Sequence, residues 1–378
     1  MSMSRRLLTV GAVAVSVAAG LAQTPARDQL TRGLALWNQR LAKSAIAALE
    51  AAAQDKSTAA EAHEALGRIY TFKGWLQDNV LPGWHDEPAF RERALAELKA
   101  AVAADSTRAA AQEALRTAEG YAAAEAVDPA PPRPEIRALD AALQSFQTKP
   151  DAPINAILDA VDARASAQAD PAPYFAGAQI LLDRGEYDRA MTMAQRGAAA
   201  SDRFIDENLS AYMLPGKSQG SYARGRSQAA DLTGWALFLR KDYARAAAKL
   251  DEAERLSQGA DFVNQFHLGE LARTENAPAR ARDHYLNALS FSGGPAPLRQ
   301  RATQALGTLQ TDTPGAGGFD AWLEAELARR RDDRKASALK SLIDRSLPTL
   351  PLTTVDGRPY DTSGLRGKVL LLNFFASW

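Results

Sequence analysis

Few residues in this chain are equipped for covalent or metal chemistry. Its 378 residues include no cysteine, which excludes disulfides, thiolate metal sites and thiol nucleophiles within them. The four histidines are His63, His85, His267 and His284, and none falls in an HExxH or other metal-ligand spacing. Single histidines on helices serve packing or face solvent. Trp84-His85-Asp86-Glu87 could bind a cation, although a capped loop is the simpler reading. Carboxylates are numerous because the helices are charged, and no spacing selects two of them as acid and base. Ala211 to Ser218 (AYMLPGKS) satisfies a loose phosphate-loop pattern with alanine for the first glycine. That mechanism needs a buried strand upstream and backbone N–H groups around the phosphates. Arg203 to Leu209 reads instead as acidic helix, and Pro215 removes one donor. Gly216 to Gly225 is expected to be a mobile loop between helical units. No cofactor is implied.

Charge narrows the partners. The chain carries 45 basic and 45 acidic side chains. A formal charge of zero lacks the basic field that DNA, RNA or an acidic membrane would require.

At the N-terminus, Met1 to Arg6 holds two arginines and no acid, and Leu7 to Ala19 is uncharged. Gly20 and Ala22 place small residues before a cut at Gln23. This is the layout of a secretory signal peptide over residues 1–22. Ser4-Arg5-Arg6-Leu7-Leu8 adds a hint of a twin-arginine signal. The apolar run is shorter than the roughly 20 residues of a membrane-spanning helix. Export to the periplasm or beyond is expected, with membrane contact only through an uncleaved signal.

Alanine supplies 79 residues, so helices come easily, and the informative feature is a period. Gly33 and Gly67 stand 34 residues apart, and Gly234 and Gly269 stand 35 apart. Twelve residues beyond a reference glycine come Ala45, Ala246 and Ala281. Four further on come the bulky Leu49, Leu250 and Tyr285, and then Ala52, Ala253 and Ala288. Gly185-Glu186-Tyr187 and Lys241-Asp242-Tyr243 supply a turn followed by an aromatic. Tyr174 to Asp202 reads as a further unit with Ala178 at the glycine position. The unit containing His63, Leu66, Gly67 and Tyr70 is interrupted at about 75–91 and resumes at Ala94, Leu98 and Ala101. A second insertion falls at about 203–226.

These residues resemble the tetratricopeptide repeat family over about 28–125 and 170–310. Where that family favours tryptophan on helix A, this chain has His63, Tyr174, Ala230 or Gln265. The resemblance implies antiparallel helix pairs stacked into an α-solenoid with a concave protein-binding surface. Trp37, Arg68, Trp235, Glu270 and Arg273 are the helix A residues expected to face a protein or peptide client. Two more amphipathic patterns, Ile136/Leu139/Leu143/Phe146 and Ile154/Ile157/Leu158/Val161, form a degenerate pair.

The character of the chain changes near its end. The run ARRRDDRK at 328–335 mixes charge signs and reads as a solvated helix face. Leu352 to Val355, Asp356-Gly357 and Arg358 to Tyr360 read as strand, tight turn and return. Val369 to Phe375 is an apolar run suited to a strand buried on both faces. The segment GKVLLLNFFASW resembles the opening of a thioredoxin-fold domain of the TlpA-like thiol–disulfide oxidoreductases. Phe375 stands where tryptophan is more usual. A peroxiredoxin would show Tyr-Pro and Phe-Thr there, so it fits less well. The resemblance implies a Cys-x-x-Cys at a helix N-terminus directly after this segment, with a lowered thiol pKa. Within these residues there is none, and the chain is expected to be the beginning of a longer protein.

The expected organisation is therefore a signal peptide (1–22), helical repeats (23–127), a Pro-rich connector (128–134), further repeats (135–310), a linker and charged helix (311–346), and the start of a thioredoxin-like domain (347–378). The fold class is mainly α, a solenoid followed by the first strands of an incomplete α/β fold. The expected function is an exported scaffold whose intact form exchanges thiols with a client and a redox partner protein. The alternative is a non-enzymatic adapter.

Overall fold

The computed structural model describes residues 24–79, 90–120, 133–208, 217–309, 318–340, 354 and 358–360. The segment expected to be a signal peptide (1–22), most of the connector 128–134, Trp84 to Glu87 and the apolar run 369–375 lie outside the described residues. Among the described residues every regular element is a helix and no strand forms.

Antiparallel helix pairs follow one another along the chain. α1 (Pro25–Asn38) packs on α2 (Ala42–Ala53), and α3 (Ala59–Asn79) on α4 (Phe90–Ala104), which leads to α5 (Ala109–Glu119). After the connector come α6 (Pro134–Ser145) and α7 (Ile154–Ala167), joined through a 3-10 turn at Phe146–Thr148. Then follow α8 (Ala172–Asp183) with α9 (Tyr187–Asn208), α10 (Lys217–Leu239) with α11 (Tyr243–Ser257), and α12 (Phe262–Thr274) with α13 (Pro278–Leu289). α14 (Ala296–Leu309) and α15 (Gly318–Lys340) close the array. The connector was expected to run through Pro134. That proline opens α6 instead, because a helix tolerates proline at its first position, where no N–H partner is required.

The periodic residues meet as their spacing demands. A β-carbon on Gly33 would lie 2.7 Å from Leu49, one on Gly234 2.8 Å from Leu250, and one on Gly269 2.6 Å from Tyr285. Gly67 takes the same contact from Leu98 across the interruption in its unit. Each bulky side chain is fully buried and fills the space its glycine leaves. Real β-carbons do not approach so closely, so the helices of a pair cross with nothing to spare.

One turn recurs between paired helices. Arg40, Gly185, Lys241 and Asn276 have φ of +62°, +75°, +64° and +55°. At each, the N–H of the following residue reaches back into the helix: Leu41 to the Leu36 carbonyl, Glu186 to Leu181, Asp242 to Leu237 and Ala277 to Ala272, all at 2.9 Å. This is a helix stop that satisfies the terminal carbonyls and reverses the chain in about three residues.

A simple stack would let each pair touch only its neighbours. Here the α1–α2 turn is also held by distant helices. Ser44 donates from its backbone N–H (2.8 Å) and its hydroxyl (2.6 Å) to Glu207 on α9. Asn208 donates to the Arg40 carbonyl at 2.7 Å, and the Ala169 N–H to the Gln39 carbonyl at 2.8 Å. The first pair is thus bolted to the end of the fourth.

Two expectations change. Residues 217–225 are not a loop but the first turns of α10. Gly225 lets α10 lie against Ser201 of α9, while Tyr222 reaches Asp206 and Arg226 pairs with Asp202 at 2.9 Å. Tertiary packing outweighs the low helix propensity of the glycines. The charged run on α15 is not all solvated either. Phe319, Trp322, Leu323 and Leu327 pack on the last core. Arg330 (side chain 15% exposed) reaches Asp283 and Asn287, and Arg334 holds the Ser290 carbonyl at 2.6 Å.

Near the end, the Thr354 N–H donates to the Arg358 carbonyl at 2.8 Å, and the Arg358 N–H to Thr354 Oγ1 at 3.1 Å. These bonds bracket the position expected for a tight turn.

Candidate functional site

The five residues expected on a binding face separate into two groups. Trp37 is only 6% exposed and belongs to the first core, edge-on to Phe72 at 6.3 Å. Its indole is too apolar to leave solvent-facing once α3 lies alongside. Arg68 remains half-exposed, yet it is committed to Glu64 (3.0 Å) and to the Ala110 carbonyl (3.0 Å). Glu64 is buried and also takes Arg108, so this cluster ties α3 to α5.

Trp235 stands on α10 and meets α12 through His267, while Glu270 and Arg273 lie further along α12. Trp235 is half-buried in an aromatic stack, with Phe238 at 4.7 Å on one side and His267 at 4.0 Å on the other, both within 10° of parallel. One turn beyond His267, buried Glu270 accepts from the Tyr285 hydroxyl (2.6 Å), Arg273 (3.0 Å) and Arg301 (3.4 Å). Burial first, and then the bond to Glu270, push the Tyr285 phenol above its usual pKa. Arg301 also lies over the Phe266 ring at 4.9 Å. Glu270 therefore locks α12 to α13 and α14 through Tyr285 and Arg301, while Arg273 pairs with it within α12 and stays half-exposed.

Beneath Trp235 lies a polar cluster that the sequence did not reveal. Asp231 is buried and accepts from Asn264 Nδ2 at 3.0 Å, while His267 Nδ1 stands 3.0 Å from its other oxygen. Asn264 also donates to the Leu250 carbonyl at 3.1 Å, and its own Oδ1 has no partner. Asp231 also lines a groove of about 1130 Å³ between α8, α10, the end of α11 and the start of α12. A second cavity of about 670 Å³ lies where the α1–α2 turn meets α7, α8 and α9.

One signal could have found these pairings. Stacked repeats set equivalent positions side by side, so partners fall about one period apart. Arg27–Glu61, His63–Glu97 and Asp162–Arg196 are each separated by 34 residues, and Asp231 is 33 from Asn264 and 36 from His267.

Among the described residues no group of three side chains suits a metal ion. No described helix is long and apolar enough to cross a membrane. α9 remains helical through Asn208, so no strand leads into residues 209–216 from a described neighbour. No protein-family model matches this chain, and no curated protein matches it.

Proposed function

We propose that the chain is an exported tetratricopeptide-type scaffold that holds a protein or peptide partner on its helical face. The single observation that carries this reading is the recurrence of one helix-pair geometry. The same glycine-to-bulky contact returns after 34 residues from Gly33 to Gly67 and after 35 from Gly234 to Gly269, and the same left-handed turn joins the helices of four pairs. Stacked pairs of this kind leave long grooves, and the groove under Asp231 is deep enough to take a segment of chain.

The redox part of the proposal rests on sequence. The segment 347–378 resembles the start of a TlpA-like thioredoxin domain, and a longer form carrying Cys-x-x-Cys after Trp378 would act on thiols of the held partner. The alternative reading is an adapter that only binds its partner. Coding sequence beyond the Trp378 codon separates the two: a Cys-x-x-Cys within about five codons supports the oxidoreductase.

The scaffold reading is tested by selecting from a random peptide display library on the purified full chain, without bias for charge. Sequence-dependent peptides with Kd at or below about 10 μM are expected. Selection of nothing above background after several rounds contradicts it.

A further inference from the structure

We infer that the groove between α8 and α12 takes an extended acidic peptide, an inference that rests on the scaffold reading above. The charges of the groove are unevenly committed. Its two carboxylates already have partners: Asp231 holds Asn264 and His267, and Asp261 caps α12 by accepting the Asn264 N–H at 2.8 Å. Its two arginines, Arg224 on α10 and Arg255 in the last turn of α11, are exposed and make no ion pair or side-chain hydrogen bond among the described residues. Neighbouring arginines behave differently: Arg226 pairs with Asp202, and Arg245 with Asp242. The groove is thus left with positive charge unspent, and a ligand carboxylate can meet either guanidinium bidentately.

Size and the remaining lining select a peptide over a small anion. The groove exceeds the roughly 300–1,000 Å³ of ordinary small-molecule sites. Gln219, Gln228 and Gln258 line it, are exposed, and make no side-chain hydrogen bond among the described residues. Each amide offers a donor and an acceptor, which matches the alternating N–H and C=O groups of an extended main chain. Leu232 and Val263 give apolar floor between the amides, where side chains of alternate residues can rest.

The test is fluorescence anisotropy on the full chain with labelled nine-residue peptides that are acidic (alternating Glu and Ala), neutral (Gln for Glu) or basic (Lys for Glu). The acidic peptide is expected to bind at least about 10-fold tighter than the other two, more so at low salt. Arg224→Glu with Arg255→Glu should weaken it by a further 10-fold or so, and Gln228→Ala by less. The doubly reversed chain should then prefer the basic peptide, a gain that misfolding could not produce. Arg32→Glu, exposed on α1 and away from the groove, should leave binding unchanged.

Equal binding of the three peptides overturns the inference, as does indifference of the acidic peptide to the double reversal. Competition by single-stranded DNA or inorganic phosphate at lower concentrations than the peptide would also overturn it, because the groove would then be reading phosphate. If display yields peptides whose binding ignores Arg224 and Arg255, the scaffold reading stands and this inference falls.

Discussion

The His267 imidazole lies flat on the Trp235 indole, ring centroids 4.0 Å apart, while its Nδ1 faces the buried Asp231 carboxylate at 3.0 Å. The three residues join α10 to α12 through one polar bond and one ring contact. Replacing His267 removes both and leaves a buried carboxylate with Asn264 alone.

His267→Ala should therefore cost about 2–4 kcal/mol in urea unfolding followed by tryptophan fluorescence. In a cycle with Asp231→Ala the double variant should cost less than the sum, with a coupling of at least about 1 kcal/mol. Additive losses would show that the two side chains merely pack.

The crossing glycines allow a test with opposite signs. Gly234→Ala and Gly269→Ala must push a β-carbon into Leu250 or Tyr285, so each should destabilise by about 1–3 kcal/mol. Gly220 sits exposed on α10 with nothing within 4 Å of its added β-carbon. Gly220→Ala should stabilise by about 0.5–1 kcal/mol. Thermal denaturation of the three variants decides it, and three shifts of the same sign would contradict the crossing geometry.

The left-handed turns hold strain at residues other than glycine. Lys241 and Asn276 adopt φ of +64° and +55°. Lys241→Gly and Asn276→Gly should each raise the unfolding free energy by about 0.5–1 kcal/mol, the lysine site gaining more because asparagine tolerates this conformation. Gly185→Ala, at φ +75°, should lower it by a similar amount. Chemical denaturation midpoints measure all three.

His284 gives the fold a pH dependence of definite sign. Burial lowers its pKa below the usual 6.5, against weaker opposing contributions from Glu254 and Asp283. The unfolded chain therefore takes up the proton first as pH falls, and stability drops from about pH 6.5 down to the folded pKa and is flat below it. His284→Gln can keep the contact that His284 makes with Gln265 at 2.9 Å, yet it cannot titrate. The difference in stability between the two proteins should shift with pH only in that window. A difference constant from pH 4 to 8 would contradict it.

Much of the helical frame was legible because small residues at a crossing must recur with the repeat. Gly33 with Leu49, Gly234 with Leu250 and Gly269 with Tyr285 were readable as pairs, and all three touch. What escaped depends on tertiary context. The first half of α10 is rich in glycine and serine, and it is helical because α9 receives it at Ser201. The arginines of α15 look like solvent-facing charge until Asp283 and Ser290 supply partners. Trp37 and Trp235 are alike in sequence, but a facing Phe72 buries one and a facing His267 leaves the other half-open. Of the candidate site, Trp235, Glu270 and Arg273 were readable as helix A residues, whereas Asp231 and its neighbours in the groove needed the one-period offset to be noticed.

The most direct measurement is hydrogen–deuterium exchange of the full chain with and without a peptide selected by display. Slowed exchange in α8, α10 and the start of α12 is the expected result, because a segment lying in the groove shields those backbones. Saturating peptide that leaves exchange unchanged throughout the helical array would contradict the scaffold account.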